Sequence, residues 1–297
     1  MAGSTIPRRA LGRILHDLRV QAGKTQLAAG LIIDVSPQVI GRMEDGIPVK
    51  VSGVQVKELL RCYGAEPESA DQALALFEEV KAAKGDPRGG WWRAYKDVTS
   101  SHFDHYMNLE EACTRLTTFQ MTLLPGLLQT PAYRRAMILV KEPGRSALDV
   151  EREIELGIRR RMRLLEDTGF EVNVFLSEAV LRHRVGGPAV MAEQLGHLAE
   201  MGRSPNVAIR VVPHDADGYM GLVVGQFTLF EFPALRHSGL QEPPVAFVEV
   251  FTGALFFEDN DMIEKYRTAV ADIAGAALDE EDTTRMVLDL RRSTRRE

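Results

Sequence analysis

Two polar side chains stand four residues apart in a short segment, residues 36–46, that begins with Ser-Pro and ends with Asp-Gly. The carboxamide of Gln38 can form hydrogen bonds with an adenine edge, and the guanidinium of Arg42 suits guanine or a phosphate. In a helix these two positions lie on one face, one turn apart. Either contact could contribute about 1–3 kcal/mol to discrimination between base pairs. The spacing therefore predicts a helix that reads base edges in the major groove of DNA.

The elements that must position these side chains are two short helices joined by a tight bend. Thr25 is suited to cap the first helix, and Ser36 to cap the second, with Pro37 at the first helical position, where proline is tolerated. Gly30 falls inside the first helix, where it costs about 1 kcal/mol relative to alanine. This pattern is typical of a helix-turn-helix, whose second helix enters the major groove.

Apolar spacing predicts five short helices in the first 84 residues, including amphipathic helices over 7–20 and 51–63. The glycine-rich run 85–90 predicts a linker. Beyond it, the pattern predicts helices at 103–119, 131–140, 150–166, 188–201 and 261–278, and strands at 171–176, 207–212, 222–232, 245–251 and 254–257. We therefore expect an all-α helix-turn-helix domain at 1–84, a linker at 85–90, and an α+β domain with a mainly antiparallel sheet at 91–297.

The charge of the chain is unevenly distributed along its 297 residues. The net charge is -6, yet residues 1–64 hold nine Lys and Arg against five Asp and Glu. A basic first part on an acidic body is typical of a polyanion-binding module attached to a separate domain, although chance asymmetry would also explain it. Cys62 and Cys113 fall in apolar helical patterns and are expected to be buried thiols. No apolar run approaches the roughly 20 residues that span a bilayer. We therefore expect a cytoplasmic protein that binds no membrane.

Three further residues bear on DNA binding. Gln26 opens the first short helix, where its side chain and the free backbone N–H groups could hold a phosphate. Lys24 would add a salt-screened attraction. A carboxylate near DNA is repelled, so Glu44 needs another account: it could pair with Arg19 of the helix predicted over 7–20, or it could be solvated.

Seven segments of the chain are distinctive. They are residues 11–46, 59–64, 90–95, 109–112, 125–133 (PGLLQTPAY), 176–181 and 247–250. The first resembles the phage-repressor type of helix-turn-helix, called the XRE family. The others extend the resemblance over nearly the full length, to a class of actinobacterial regulators in which this module precedes a C-terminal domain of uncharacterised function.

The resemblance implies a transcriptional regulator, antitoxin-like, that binds double-stranded DNA and pairs with a small partner protein encoded nearby. It also implies the Arg19–Glu44 ion pair and groove contacts from positions 37, 38, 41 and 42. The candidate DNA-contacting residues are Lys24, Thr25, Gln26, Ser36, Pro37, Gln38, Gly41 and Arg42. We expect a homodimer, because one short module reads few base pairs alone.

The sequence offers little for catalysis. His102 and His105 have a helical spacing that suits two metal ligands, but no third ligand is evident. Neither a nucleophile-elbow motif nor a glycine-rich phosphate loop occurs. We therefore expect no enzyme, no metal and no cofactor. Two alternatives stay open: an enzyme fused to a DNA-binding module, and a protein–protein adaptor with a degenerate helix-turn-helix, which is suggested by Gly41 and Asp45.

Overall fold

The computed structural model describes residues 5–83, 90–100, 102–235 and 240–295, and the chain forms two compact units. The first unit comprises Met1–Arg93, Met107–Ala112 and Phe232–Glu242; the second comprises Ala94–Tyr106, Cys113–Glu231 and Pro243–Glu297. Except for Gly90, the linker predicted at 85–90 lies outside the described residues, and the domain boundaries stay a prediction. None of the described helices has the length and apolar character needed to cross a membrane.

Five helices form the N-terminal part of the first unit, which confirms the prediction of an all-α N-terminal region. They are α1 (Thr5–Gln21), α2 (Gln26–Ile32), α3 (Pro37–Glu44), α4 (Gly53–Tyr63) and α5 (Pro67–Ala83). Their apolar faces meet in a core that includes Leu15, Ile40, Leu59 and Leu76, each with no exposed surface. Burial of these faces, rather than intrinsic propensity, stabilises helices this short.

The second unit carries all of the assigned strands and the later helices, except that the helix Phe103–Ala112 is divided between the two units at Tyr106 and Met107. The helices that follow α5 are α6 (Phe103–Ala112), α7 (Pro131–Lys141), α8 (Ala147–Glu166), α9 (Glu178–Arg182), α10 (Pro188–Met201), α11 (Gly221–Val224), α12 (Asn260–Ala276) and α13 (Glu280–Thr294). The strands are β1 (Arg115–Gln120), β2 (Glu171–Ser177), β3 (Val207–Val212), β4 (Phe227–Glu231), β5 (Val245–Val250) and β6 (Gly253–Phe257).

The six strands form one mixed sheet in the order β3-β2-β1-β4-β5-β6. Strand β1 pairs in parallel with β2, and β2 with β3, because helices cross over between them. The other three pairings are antiparallel. The prediction of a mainly antiparallel sheet therefore fits roughly. The two parallel pairings depart from it, because helical crossovers connect β1, β2 and β3.

Two predicted elements were wrong, and one helix was not predicted. The helix predicted at 103–119 ends at Ala112, and β1 follows it; β1 is a central strand, buried on both faces at Leu116 and Phe119, so it lacks the alternation that marks a half-buried strand. The strand predicted at 222–232 begins only at Phe227, after the short α11 ends at Val224 and is capped by Gly225, where φ is +69°. The charged C-terminal segment, for which the pattern predicted no element, forms α13, which buries Val287.

Candidate nucleic-acid interface

The turn between α2 and α3 is closed by backbone contacts. The N–H of Val35 donates to the carbonyl of Gly30 at 2.9 Å, and Asp34 adopts a left-handed conformation with φ of +54°. A Cβ atom at residue 30 would stand 2.5 Å from the carbonyl oxygen of Val35. The helical cost of Gly30 is thus offset by the close approach of the two helices, which a side chain would prevent.

The carboxylate of Glu44 ties together the three helices around this turn. It accepts hydrogen bonds from Arg19 Nε at 2.5 Å, Arg19 Nη2 at 3.0 Å and Gln26 Nε2 at 3.1 Å. Arg19 Nη1 also donates to the carbonyl of Lys24 at 2.7 Å. Both charged side chains are almost fully buried, and the Glu44 hydrogen bond raises the pKa of Arg19. A buried pair of this kind fixes geometry more reliably than it adds stability.

Helix α4 holds the turn from its other side. Ser52 and Gln55 form a capping box at the start of α4, and Gln55 Nε2 donates to the carbonyl of Ile33 at 2.8 Å. The sequence pattern does not predict this contact. The Ser-x-x-Gln spacing is a recognisable helix-start signature, but the reach to Ile33 depends on the tertiary fold.

The face of α3 that points away from this network carries the two side chains predicted to read bases. Gln38 and Arg42 are both exposed, and neither side chain forms a hydrogen bond with the described part of the chain. Gly41 faces α2 instead: a Cβ atom there would stand 3.3 Å from the carboxamide of Gln26. The exposed pair is therefore presented on a helix whose other side is closely packed.

The other candidate contacts lie around the same two helices. Lys24, Thr25 and Ser36 are exposed, and Pro37 is half-buried at the start of α3. Thr25 caps α2 by accepting a hydrogen bond from the N–H of Ala28 at 3.1 Å, so its hydroxyl already has a structural role. The side chain of Gln26 is directed to Glu44, so it does not point outward as a phosphate ligand would.

The positive charge counted in the first 64 residues overstates the basic surface. Arg13 forms a two-pronged ion pair with Glu242, at 3.0 and 2.5 Å, and Arg9 approaches the same carboxylate at 3.5 Å. Arg8 is also buried, which lowers the pKa of its guanidinium. Because Glu242 is more than 200 residues distant in sequence, the pairing could not be predicted. The charge available to DNA comes instead from exposed groups such as Lys24 and Arg42.

The two histidines considered as metal ligands contact different residues. His102 Nε2 lies 3.0 Å from a carboxylate oxygen of Glu249, and His105 packs edge-on against Phe256 with ring centroids 4.3 Å apart. Within the described ranges, no cluster of three potential metal ligands is found. The arrangement gives these histidines separate packing and ion-pair roles.

Tyr63 at the end of α4 provides a pH test of this packing. Burial, with a smaller contribution from Glu44, raises the pKa of Tyr63 to about 12 from a usual value of 10.0. The unfolded chain therefore loses this proton first as pH rises. The free energy of unfolding should fall between pH 10 and 12, by about 2–3 kcal/mol from this group. Denaturant unfolding measures the free energy of unfolding of the wild type and of Tyr63→Phe at each pH. This free energy should depend less on pH in the variant, and the same dependence in both proteins would contradict the raised pKa of Tyr63.

Two regions of the chain match known protein families. Residues 10–73 match a helix-turn-helix domain, and residues 103–289 match a domain of unknown function, DUF5753. No curated protein and no solved structure matches the chain. The first match covers α2 and also α3, the helix that carries the exposed pair, and the second covers more than half of the chain. The chain therefore belongs to the DUF5753 family, with an XRE-like helix-turn-helix domain at its N-terminus.

Proposed function

We propose that this protein is a sequence-specific DNA-binding transcriptional regulator in which α3 reads base edges in the major groove. The observation that carries the proposal is the exposed pair Gln38 and Arg42, one turn apart on a helix fixed from behind by Glu44. An amide and a guanidinium suit adenine and guanine edges, and the rigid support limits the entropy lost when they bind. The helix-turn-helix match supports the same role.

The experiment is genome-wide DNA capture with the purified protein, followed by mobility-shift assays on the captured sites across a range of salt concentrations. The variant Gln38→Ala/Arg42→Ala should bind the best site at least about tenfold more weakly, since each contact contributes about 1–3 kcal/mol. Arg61→Ala is the matched control, because Arg61 is an exposed arginine of the same unit on α4.

The salt series separates specific from general attraction. Affinity for every site should fall as salt rises, while the ranking of sites by the wild type persists. The double variant should lose the ranking more than it loses the weak binding to unrelated DNA. Equal affinity of the wild type for all duplexes, or equal losses in the double variant and Arg61→Ala, would contradict base reading by α3.

The competing adaptor hypothesis rests on Gly41 and Asp45. The packing of Gly41 against Gln26 gives this glycine a structural reason, since a larger side chain would meet the carboxamide at 3.3 Å. Gly41 therefore does not argue for a degenerate helix-turn-helix. Asp45 remains an exposed acid at the end of α3, and its charge favours modest rather than tight DNA affinity. An adaptor would show no preference among duplexes even at low salt.

We also propose that the second unit controls DNA binding rather than catalysing a reaction. A homodimer would place two copies of α3 on two half-sites, because one module reads too few base pairs alone. Three exposed apolar side chains of α8, Ile158, Met162 and Leu165, follow helical spacing and favour contact with another protein chain. An antitoxin-like pairing with a small partner protein encoded nearby belongs to the same proposal. A two-fold symmetric footprint from the capture experiment would support the dimer.

A further inference from the structure

One face of the sheet in the second unit is open to a cavity of about 270 Å³. Its floor is formed by the four middle strands and includes Leu116 and Thr118 of β1, Val174 of β2, Thr228 of β4 and Phe247 of β5. The volume is close to the lower end of the range for small-molecule sites, about 300–1,000 Å³. The opposite face is filled by packing of α12, as at Ile273 against Phe119 and Phe227.

The centre of this floor is polar where a sheet core is usually apolar. Thr118 and Thr228 are register partners on β1 and β4, only 1% and 5% exposed, with hydroxyl oxygens 3.0 Å apart. Thr118 also donates to the carbonyl of Phe227 and accepts from Gln120 Nε2, both at 2.9 Å. Buried hydroxyls held in a fixed network beside a cavity can orient a ligand without reorganisation.

Two arginines converge on one wall of the cavity. Arg134 of α7 donates through Nη2 to the carbonyl of Gly126 at 3.2 Å. A Cβ atom at residue 126 would stand 2.9 Å from both Arg134 Nη2 and Arg160 Nη1 of α8. The missing side chain of Gly126 thus lets both guanidinium groups approach the same point. Guanidinium groups present forked donors that suit a carboxylate.

The remaining wall is aromatic. Tyr106 packs edge-on against Phe247 with ring centroids 4.9 Å apart, and the guanidinium of Arg160 lies 5.4 Å from the Tyr106 ring centroid. These rings offer an apolar surface to a flat molecule next to the charged end. Among the described residues that line the cavity, Glu249 is the single acidic side chain; it is partly exposed and lies beside His102.

We propose that this cavity binds a small organic acid with a flat apolar body. The carboxylate lies at Arg134 and Arg160, and the body packs against the surface that Tyr106 and Phe247 form together. The hydroxyl network of Thr118 and Thr228 orients a further polar group of the ligand. This site does not depend on the DNA-binding function proposed above, since all of its residues belong to the second unit.

The test is isothermal titration calorimetry of the full chain with three probe acids: benzoate, indole-3-acetate and 2-naphthoate. Each is compared with its uncharged carboxamide, which has nearly the same shape. At least one acid should bind about tenfold more tightly than its amide, because a charge-assisted pair is lost in the amide. Binding of acid and amide with equal affinity, or no binding of any of the three acids at millimolar concentration, would overturn the proposal.

A pair of neighbouring variants locates the site. Arg134→Gln should weaken binding of the acid about tenfold or more and bring its affinity close to that of the amide. Arg135→Gln is the matched control: Arg135 follows Arg134 on α7 but makes an ion pair with Glu151 at 2.5 Å and does not line the cavity. Its affinity for the acid should stay within about twofold of wild type.

A third variant blocks the cavity itself. Thr228→Phe fills the cavity and should abolish binding; its thermal unfolding is recorded in parallel. If Thr228→Phe does not fold, the comparison of Arg134→Gln with Arg135→Gln decides alone. Equal effects of those two substitutions would place the acid elsewhere and refute the assignment.

Discussion

Gly30→Ala should destabilise the helix-turn-helix, although alanine is the better helix former. The gain in helix propensity is about 1 kcal/mol. The new Cβ would stand 2.5 Å from the backbone oxygen of Val35, well inside contact distance, so the turn must move. Overpacking of this kind typically costs about 1–3 kcal/mol, and the backbone here has no flexible end that can swing away. We expect a net loss near the upper end of that range, measured by denaturant unfolding, together with weaker binding to the captured DNA site.

The control is the same substitution where there is space. Gly275 lies in α12 with no atom within 4 Å of its Cβ position. Gly275→Ala should therefore stabilise the protein by up to about 1 kcal/mol through helix propensity alone. If Gly30→Ala also proved neutral or stabilising, the close approach of the turn to α2 would not be the reason for this glycine.

The contrast between these glycines shows where sequence reasoning succeeds. The Thr25 cap, the proline at the start of α3 and the helical bounds around them were readable, because capping depends on residues three or four positions apart. Ser36 occupies the N-cap position of α3 as predicted, but its side chain forms no capping hydrogen bond. The reason for Gly30 was not, because it depends on where the carbonyl of Val35 lies after the turn has formed. From the sequence alone, Gly30 could be assigned only its unfavourable helix propensity.

The second unit shows the same limit at longer range. Helix α10 and strand β3 were predicted with correct bounds, since each has a clear period and clear stops. Strand β1 was mistaken for helix because burial on both faces removes the alternation. The facing hydroxyls of Thr118 and Thr228 follow from a register between strands more than 100 residues apart, and the convergence at Gly126 follows from the packing of α7 on α8. No local pattern encodes either arrangement.

Glu44→Ala should cause the largest loss of stability in the first unit. The substitution leaves the nearly buried guanidinium of Arg19 without its carboxylate and removes the acceptor for Gln26. Breaking a buried pair by removing one partner costs about 3–5 kcal/mol, because the remaining charge is uncompensated. Helices α1, α2 and α3 lose their common tie, so we expect a lower unfolding midpoint together with loss of sequence preference in DNA binding.

Two further variants distinguish pairing from the mere presence of a charge. Glu58→Ala breaks the exposed pair with Arg61 and should change stability little, since solvent already screens both groups. Arg19→Met/Glu44→Leu replaces the buried pair with apolar side chains and should recover much of the stability that Glu44→Ala loses. DNA preference should return only in part, because the forked pair also fixes α3 against α1, and Arg19 holds the segment before α2 through its bond to the Lys24 carbonyl. If the double variant were as unstable as Glu44→Ala, an uncompensated Arg19 charge would not be the cause, and loss of the Gln26 contact and of local packing would account for the effect instead.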